Sequence, residues 1–165
     1  MARALIVGCG CRGRALGRRL LDGGWQVRGT SRSASGRSEI EAAGLEAAEA
    51  DPALLGTVLD HVADATVVVW LLGSATGDPA DVGALHTARL PALMEGLVDT
   101  PVRGVVAEAR GTVDARDLQA GADALRHAAE RWRFPVALLE HDPSDHDGWP
   151  QAAADAVTGV LRAAV

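Results

Sequence analysis

The chain has 165 residues, of which 48% are hydrophobic, and a formal net charge of −6 at pH 7. This length is typical of one domain with a sizeable buried core, and we expect a single domain over residues 1–165. The negative charge disfavours a nucleic-acid partner, and no apolar segment is long enough to predict a membrane span.

Short apolar segments alternate with helix-patterned segments along the chain. The continuous apolar segment 66–72 is typical of a strand that is buried on both faces. Ser38 and Glu41 form a predicted capping box, and Asp51 before Pro52 predicts another helix start. In chain order, the pattern predicts strand 4–7, helix 12–21, strand 25–30, a helix from 38 to about 44, strand 45–48, a helix from 51, strand 66–72, a helix within 81–98, strand 102–107, helix 114–132, strand 135–139 and a helix from about 150 to the end.

Six strands that alternate with helices predict the α/β class, with a parallel sheet covered on both faces. Right-handed crossovers then give a doubly wound Rossmann sheet in the order 3-2-1-4-5-6. In the helix predicted at 114–132, Leu118, Ala122 and Leu125 share one face, which predicts either core or a dimer surface.

A glycine motif follows the first predicted strand. Gly8, Gly10 and Gly13 have the spacing G-x-G-x-x-G, between a strand and a helix. The first glycine permits the tight turn, the second lets the backbone approach a pyrophosphate, and the third allows close helix packing. The helix N-terminus then offers N–H groups to the phosphates of a dinucleotide. The residues predicted to contact the cofactor in this turn are Gly8, Cys9, Gly10, Cys11, Arg12 and Gly13.

The end of the second predicted strand indicates which dinucleotide is bound. NAD sites place a carboxylate there for the ribose 2′-hydroxyl, whereas this chain has Thr30, Ser31 and Arg32. Two hydroxyls and a guanidinium suit a 2′-phosphate, so the sequence favours NADP(H) over NAD(H). Arg12 could reach the same phosphate. The alternative for both arginines is a solvated surface position.

Segment 4–32, with the form strand, G-x-G-x-x-G, helix, strand, Thr-x-Arg, resembles the short-chain dehydrogenase/reductase superfamily. It is most similar to the atypical and extended branch, which includes NAD-dependent epimerase/dehydratase-like proteins. The resemblance implies that Asp51 touches the adenine and that Leu72, Gly73 and Ser74 line the nicotinamide-side ribose. It also implies that a homodimer forms through helices beside the fourth and fifth strands.

The chain departs from that superfamily in its chemistry. The usual acid is the Tyr of a Tyr-x-x-x-Lys pair, but all 16 basic residues here are arginine and the sequence has no tyrosine. Extended members also continue beyond the sixth strand into a substrate-binding region, whereas this chain stops near the sixth strand. These departures favour a non-catalytic NADP(H) binder, sensor or regulator over an enzyme.

Two alternatives remain open at this stage. One is a small NADPH-dependent oxidoreductase that uses Glu108, His141 or His146 as a non-standard acid. Arg110 accompanies Glu108 as a candidate to anchor a small substrate, and the competing interpretation is an ion pair of these two residues that fixes a loop. For residues 141–147, the competing interpretation is a polar, acidic loop. The spacing of 141–147 matches no metal motif, so no metal site is predicted.

The other alternative is a thiol sensor built on Cys9 and Cys11, whose thiol pKa the helix N-terminus would lower. The competing interpretation is that cysteine is simply a small residue that fits a crowded turn. These cysteines are too close for an ordinary structural disulfide. The N-terminus also lacks the apolar region of a secretory signal, and we therefore predict a cytoplasmic protein.

Overall fold

The computed structural model describes residues 1–164. The strands are β1 (Arg3–Val7), β2 (Gln26–Ser31), β3 (Glu46–Glu49), β4 (Val67–Trp70), β5 (Gly104–Glu108) and β6 (Val136–Leu139). The helices are α1 (Cys11–Asp22), α2 (Ala34–Ala42), α3 (Leu55–Leu59), α4 (Pro79–Ala84), α5 (Leu90–Gly96), α6 (Ala115–Trp132) and α7 (Trp149–Ala163). A π-helical turn, Leu85–Arg89, joins α4 to α5.

All neighbouring strands are parallel, and the sheet order is β3-β2-β1-β4-β5-β6, which confirms the predicted doubly wound topology. β1 pairs with β2 on one side and with β4 on the other, so the chain reverses its winding direction between β1 and β4. Ligands of such sheets bind at the carboxyl ends of the strands, at this reversal.

Apolar side chains alternate between the two faces of the sheet and fill a core on each. Ile6 packs with residues of α1, α2 and α7, whereas Leu5 and Val7 pack with residues of α3, α5 and α6. Every residue of β4 is fully buried, as the continuous apolar segment predicted. The two cores hold the strand ends rigidly, and this fixes the loops at the carboxyl edge of the sheet.

Two predicted helix starts are wrong. The second helix begins earlier than Ser38, because Ser33 is its N-cap and the Ser33 hydroxyl accepts a hydrogen bond from the Gly36 N–H at 3.0 Å. Asp51 does not cap a helix. Its carboxylate accepts from the Ala53 N–H at 2.9 Å in a local turn, and α3 begins only at Leu55.

The later helices match the predictions more closely. The helix predicted within 81–98 begins at Pro79, is capped by Asp78, and is interrupted by the π-helical turn. Helix α6 follows the Asp114 cap as predicted. Its residues Leu118, Ala122 and Leu125 are buried within the chain, so they belong to the core and not to a dimer surface. The last helix is described to Ala163, and residue 165 lies outside the described residues.

Candidate nucleotide-binding cleft

A cleft of about 530 Å³ opens at the carboxyl edge of the sheet, beside the reversal between β1 and β4. Its walls come from the β1–α1 turn, the β2–α2 corner, the segment after β3 and the β4–α4 loop. Every residue predicted to bind the cofactor lines this cleft except Gly73. These lining residues are Gly8, Cys9, Gly10, Cys11, Arg12, Gly13, Thr30, Ser31, Arg32, Asp51, Leu72 and Ser74.

The three motif glycines have three different environments. Gly8 has φ +82°, and a Cβ there would lie 2.6 Å from the Leu71 carbonyl oxygen. A Cβ at Gly13 would lie 3.3 Å from Ile6 Cγ2, so this glycine lets α1 pack against β1. A Cβ at Gly10 would meet no protein atom within 4 Å. The backbone of Gly10 is therefore open to the cleft, as close approach of a phosphate requires.

The first turn of α1 faces the cleft with unpaired backbone donors. Gly10 is the N-cap and supplies no side-chain cap, and the first intrahelical bond runs from the Arg14 N–H to the Gly10 carbonyl at 2.9 Å. The first turn contains no acidic residue. Because the N–H groups of a first turn and the helix dipole both favour negative charge, this end of α1 can hold an anion.

The β2–α2 corner forms the far wall of the cleft. Thr30 is buried, and its carbonyl accepts the Cys9 N–H at 3.2 Å, which ties this strand end to the glycine turn. Arg32 is exposed. Sequence reasoning did not single out Arg37, which does not line the cleft but supports this corner from behind. Its guanidinium Nη1 lies 3.4 Å from the Ser31 carbonyl oxygen and 3.3 Å from that of Arg32. A predicted helix start at Ala34, where α2 begins, would have placed Arg37 in the first turn at this corner.

A carboxylate also reaches the cleft, although none follows β2 directly. Glu39 of α2 lines the cleft, and its Oε2 lies 3.4 Å from Arg14 Nη1. The Glu39 side chain is 65% exposed, so its pairing with Arg14 is weak and leaves it free to accept from a ligand. A carboxylate at this position favours the ribose 2′-hydroxyl of NAD(H) over the 2′-phosphate of NADP(H).

Cys9 is a packing residue, contrary to the predicted lowering of its thiol pKa. Burial raises the pKa of Cys9 to about 12, and the nearby Arg14 charge offsets only part of this rise. Its Sγ fills the space beside Gly29, where an added Cβ would lie 2.6 Å away. Cys11 is exposed on the cleft. The two thiols therefore have opposite environments.

Arg12 does not turn toward the β2–α2 corner, as the 2′-phosphate prediction required. Its Nη2 donates to both carboxylate oxygens of Glu108, at 2.8 and 2.7 Å. Glu108 also accepts the Gly73 N–H at 2.9 Å, which turns Gly73 away from the cleft. Burial raises the pKa of Glu108, while Arg12 and the Gly73 amide oppose that rise. Glu108 therefore pairs with Arg12 and not with Arg110, which pairs with Asp142.

The loops after β5 and β6 contribute no residue to the wall of this cleft within the described chain. Arg110 lies 3.4 Å from Asp142. His141 Nε2 lies 2.7 Å from Asp145 Oδ2, and the hydrogen bond from His141 lowers the pKa of that aspartate. His146 is exposed nearby. Neither Glu108 nor these histidines therefore faces the cleft, which weakens the case for any of them as its acid.

One buried histidine lies below the cleft. His86 occupies the π-helical turn, and its Nε2 lies 2.9 Å from the Leu72 carbonyl oxygen at the end of β4. Burial lowers the pKa of His86, although the Leu72 carbonyl and the Asp117 charge oppose this effect. His86 is therefore a core residue that holds the end of β4.

Residues 1–164 contain neither a metal-binding cluster nor a membrane-spanning helix. No group of three or more His, Cys, Asp or Glu side chains among them is arranged to hold a metal ion. No helix in this part of the chain has the length and apolar character needed to cross a membrane.

The parallel six-stranded sheet with helices on both faces is a Rossmann fold. No known protein family and no curated protein matches the sequence. Solved structures with the same fold include UDP-glucose 4-epimerase from Thermotoga maritima with UDP-glucose, at a TM-score of 0.69, 13% identity and coverage of 84% of this chain and 54% of that one. UDP-glucuronic acid 4-epimerase from Bacillus cereus in complex with NAD matches at a TM-score of 0.68 and 14% identity, with coverage of 84% of this chain and 55% of that one. Triphenylmethane reductase from Citrobacter sp. complexed with NADP(H) matches at a TM-score of 0.63 and 16% identity, with coverage of 83% of this chain and 48% of that one. The chain thus spans about half the length of these structures.

Proposed function

We propose that this chain binds NADP(H) in the cleft beside the reversal between β1 and β4 and acts as a non-catalytic binder, sensor or regulator. The observation that carries the proposal is the cleft itself, which joins the glycine turn to the β2–α2 corner in one space of about 530 Å³. A cytoplasmic location and a homodimer remain predictions from the sequence.

The glycine turn supports pyrophosphate binding. Gly10 leaves open space above the backbone, and the first turn of α1 has free N–H groups and no acidic residue. A diphosphate seated there would accept from backbone donors and meet the positive end of the helix dipole. This arrangement suits any dinucleotide.

The β2–α2 corner supports a 2′-phosphate. Ser31 and Arg32 line the cleft, and the Arg37 guanidinium lies against their carbonyls. Hydroxyl, guanidinium and helix N-terminal donors suit a phosphate dianion better than a hydroxyl. Glu39 is the competing feature, because a carboxylate favours the 2′-hydroxyl of NAD.

The structural neighbours are consistent with either cofactor, since the B. cereus epimerase is in complex with NAD and the Citrobacter reductase with NADP(H). The non-catalytic part of the proposal is supported by the chain's own residues. The chain has no Tyr or Lys for proton transfer, and Glu108 is buried behind Gly73.

The test is a calorimetric titration with NADPH and NADH, repeated on Arg32→Ala. We expect the wild type to prefer NADPH and the variant to lose about 1.5–3 kcal/mol of that preference, roughly 10- to 150-fold, because a charge-assisted phosphate contact is removed. Arg18→Ala is the matched control, since Arg18 is exposed on α1 and does not line the cleft.

The variant Glu39→Gln is a second test of which cofactor, NADPH or NADH, the site prefers. If Glu39 binds a ribose hydroxyl, this variant weakens NADH binding and leaves the NADPH affinity unchanged. A wild type that prefers NADH and loses that preference in Glu39→Gln would contradict the NADP(H) assignment.

A further inference from the structure

A dinucleotide on a doubly wound sheet occupies two half-crevices, one on each side of the reversal point. Here one half lies above the ends of β3, β2 and β1, and the other above β4, β5 and β6. The cleft is lined from the first half and from the β4–α4 loop. Within residues 1–164, its wall includes nothing from the loops that follow β5 and β6.

The Arg12–Glu108 ion pair crosses the second half. Arg12 extends from the first turn of α1, and Glu108 is the last residue of β5. Because β4 lies between β1 and β5, the Arg12 side chain passes over the carboxyl end of β4. The guanidinium lies 5.4 Å from the ring centroid of Trp149, which is buried at the start of α7. The pair is therefore wedged between α1, β5 and α7.

The loop after β5 closes over the same region. The Val113 N–H donates to the Gly73 carbonyl at 3.0 Å, and the Thr112 N–H lies 3.3 Å from Ser74 Oγ. An added Cβ at Gly111 would collide with the Gly73 carbonyl. The segment 111–113 thus packs directly on the segment that follows β4. Together with the ion pair, it fills the edge of the sheet between β4 and β5.

Opening this half would separate Glu108 from its counterion. The Glu108 side chain is 1% exposed and depends on Arg12 and the Gly73 amide for its polar contacts. A buried carboxylate that loses its partner is strongly disfavoured. The contacts that a nicotinamide ring would make there must first exceed that penalty, whereas the cleft that would hold the rest of the ligand is already open.

We infer that the site recognises the 2′-phospho-ADP-ribose portion of its ligand and makes no contact with the nicotinamide ring. This inference rests on the proposed NADP(H) function and defines which part of the cofactor is bound. Because NADP⁺ and NADPH differ only in the nicotinamide ring, the site does not distinguish the oxidised form from the reduced form.

The experiment compares three ligands on the wild-type chain by calorimetry: NADP⁺, NADPH and 2′-phospho-ADP-ribose, which lacks only the nicotinamide. We expect all three dissociation constants to agree within about threefold, a difference below 1 kcal/mol. A dinucleotide that binds about 30-fold more tightly than 2′-phospho-ADP-ribose would overturn the inference and leave the proposed function standing. If none of the three binds, the proposed function fails, and this inference fails with it.

Saturation-transfer NMR on bound NADP⁺ gives a second measurement that needs no variant. We expect strong saturation of the adenine protons and the ribose proton beside the 2′-phosphate, with weak saturation of the nicotinamide protons. Equal saturation of both rings would show that the nicotinamide ring contacts the protein and would overturn the inference, whatever the affinities.

Discussion

Both carboxylate oxygens of Glu108 accept from a single nitrogen of Arg12, Nη2, at 2.8 and 2.7 Å. The two residues are 96 positions apart and join the first turn of α1 to the end of β5. Glu108 is almost completely buried, whereas a quarter of the Arg12 side chain is exposed. The pair therefore connects the glycine turn to the other half of the sheet.

The first prediction concerns the stability of this pair. Arg12→Ala leaves a buried carboxylate without its counterion and should lower the free energy of unfolding by about 3 kcal/mol. The double variant Arg12→Met, Glu108→Leu should cost less than Arg12→Ala alone, because an apolar pair removes the buried charge as well. Urea unfolding measures both effects. If the losses measured for Arg12→Met alone and Glu108→Leu alone add up to the loss in the double variant, the two side chains do not interact.

The second prediction separates two glycines of one motif. Gly10→Ala should change stability by less than about 1 kcal/mol, since Gly10 has φ −85° and a Cβ there meets no protein atom within 4 Å. It should weaken NADPH binding about tenfold or more, because the methyl group occupies the approach of the pyrophosphate. If a folded Gly10→Ala variant binds NADPH as tightly as the wild type, the pyrophosphate does not bind at Gly10.

Gly8→Ala is the matched comparison for that substitution. Gly8 has φ +82°, and a Cβ there would lie 2.6 Å from the Leu71 carbonyl oxygen. We expect a loss of about 2 kcal/mol or more in the free energy of unfolding. Thermal unfolding without ligand distinguishes this structural effect from the ligand-binding effect at Gly10.

The third prediction concerns the two thiols. Cys11 is exposed, whereas burial raises the pKa of Cys9 to about 12. A thiol reagent at neutral pH should therefore modify one site in the folded protein, and Cys11→Ser should abolish that reaction. Cys9 should react only after denaturation. Fast labelling of folded Cys11→Ser would show that Cys9 is accessible and would restore the thiol-sensor alternative.

The fourth prediction is a pH dependence from His86. Its folded-state pKa is lowered from 6.5 by burial, so the unfolded chain binds the proton more strongly. The His86 contribution to stability is complete above pH 6.5 and is lost as the pH falls through the folded-state pKa. The opposing attraction of Asp117 reduces the effect without reversing its direction.

The comparison variant is His86→Gln, which keeps a donor for the Leu72 carbonyl and cannot titrate. The difference in unfolding free energy between wild type and His86→Gln should shrink as the pH falls below 6.5. This difference cancels the contributions to stability that both proteins share. One of these comes from Glu108, whose raised pKa changes stability with pH in the direction opposite to that of His86. A difference that is constant with pH would mean that His86 titrates equally in both states.

Local patterns predicted the fold and the glycine turn well. The alternation of apolar segments with helical patterns predicts a parallel sheet, and right-handed crossovers make the doubly wound order 3-2-1-4-5-6 the simplest arrangement of six strands. The spacing of Gly8, Gly10 and Gly13 is a property of consecutive residues, and the structure places all three on the cleft.

Long-range contacts were harder to predict. Nothing near Arg12 in the sequence indicates a partner 96 positions later, so its local context suggested a phosphate. The thiol-sensor alternative for Cys9 fails for the same reason, since the helix dipole is local whereas the burial of Cys9 against Gly29 of β2 is tertiary. The interpretation of Cys9 as a small residue in a crowded turn is confirmed. At α2, the pattern of Ser38 and Glu41 competed with the true cap. Ser33 is followed at the third position by Gly36 and lacks the acidic residue of a capping box.

The pairing of β1 with β4 determines when this cleft forms during folding. The Arg3 N–H and Thr66 Oγ1, which meet at 3.0 Å beside that pairing, are 63 positions apart in the chain. Closing so long a loop is entropically costly, and contacts of this range slow folding. β1, β2 and β3 pair in sequence over shorter distances, but they form only one wall of the cleft. A ligand in the cleft therefore binds only after both halves of the chain have met. Above its dissociation constant, it stabilises the assembled sheet against unfolding by an amount that grows with the logarithm of its concentration.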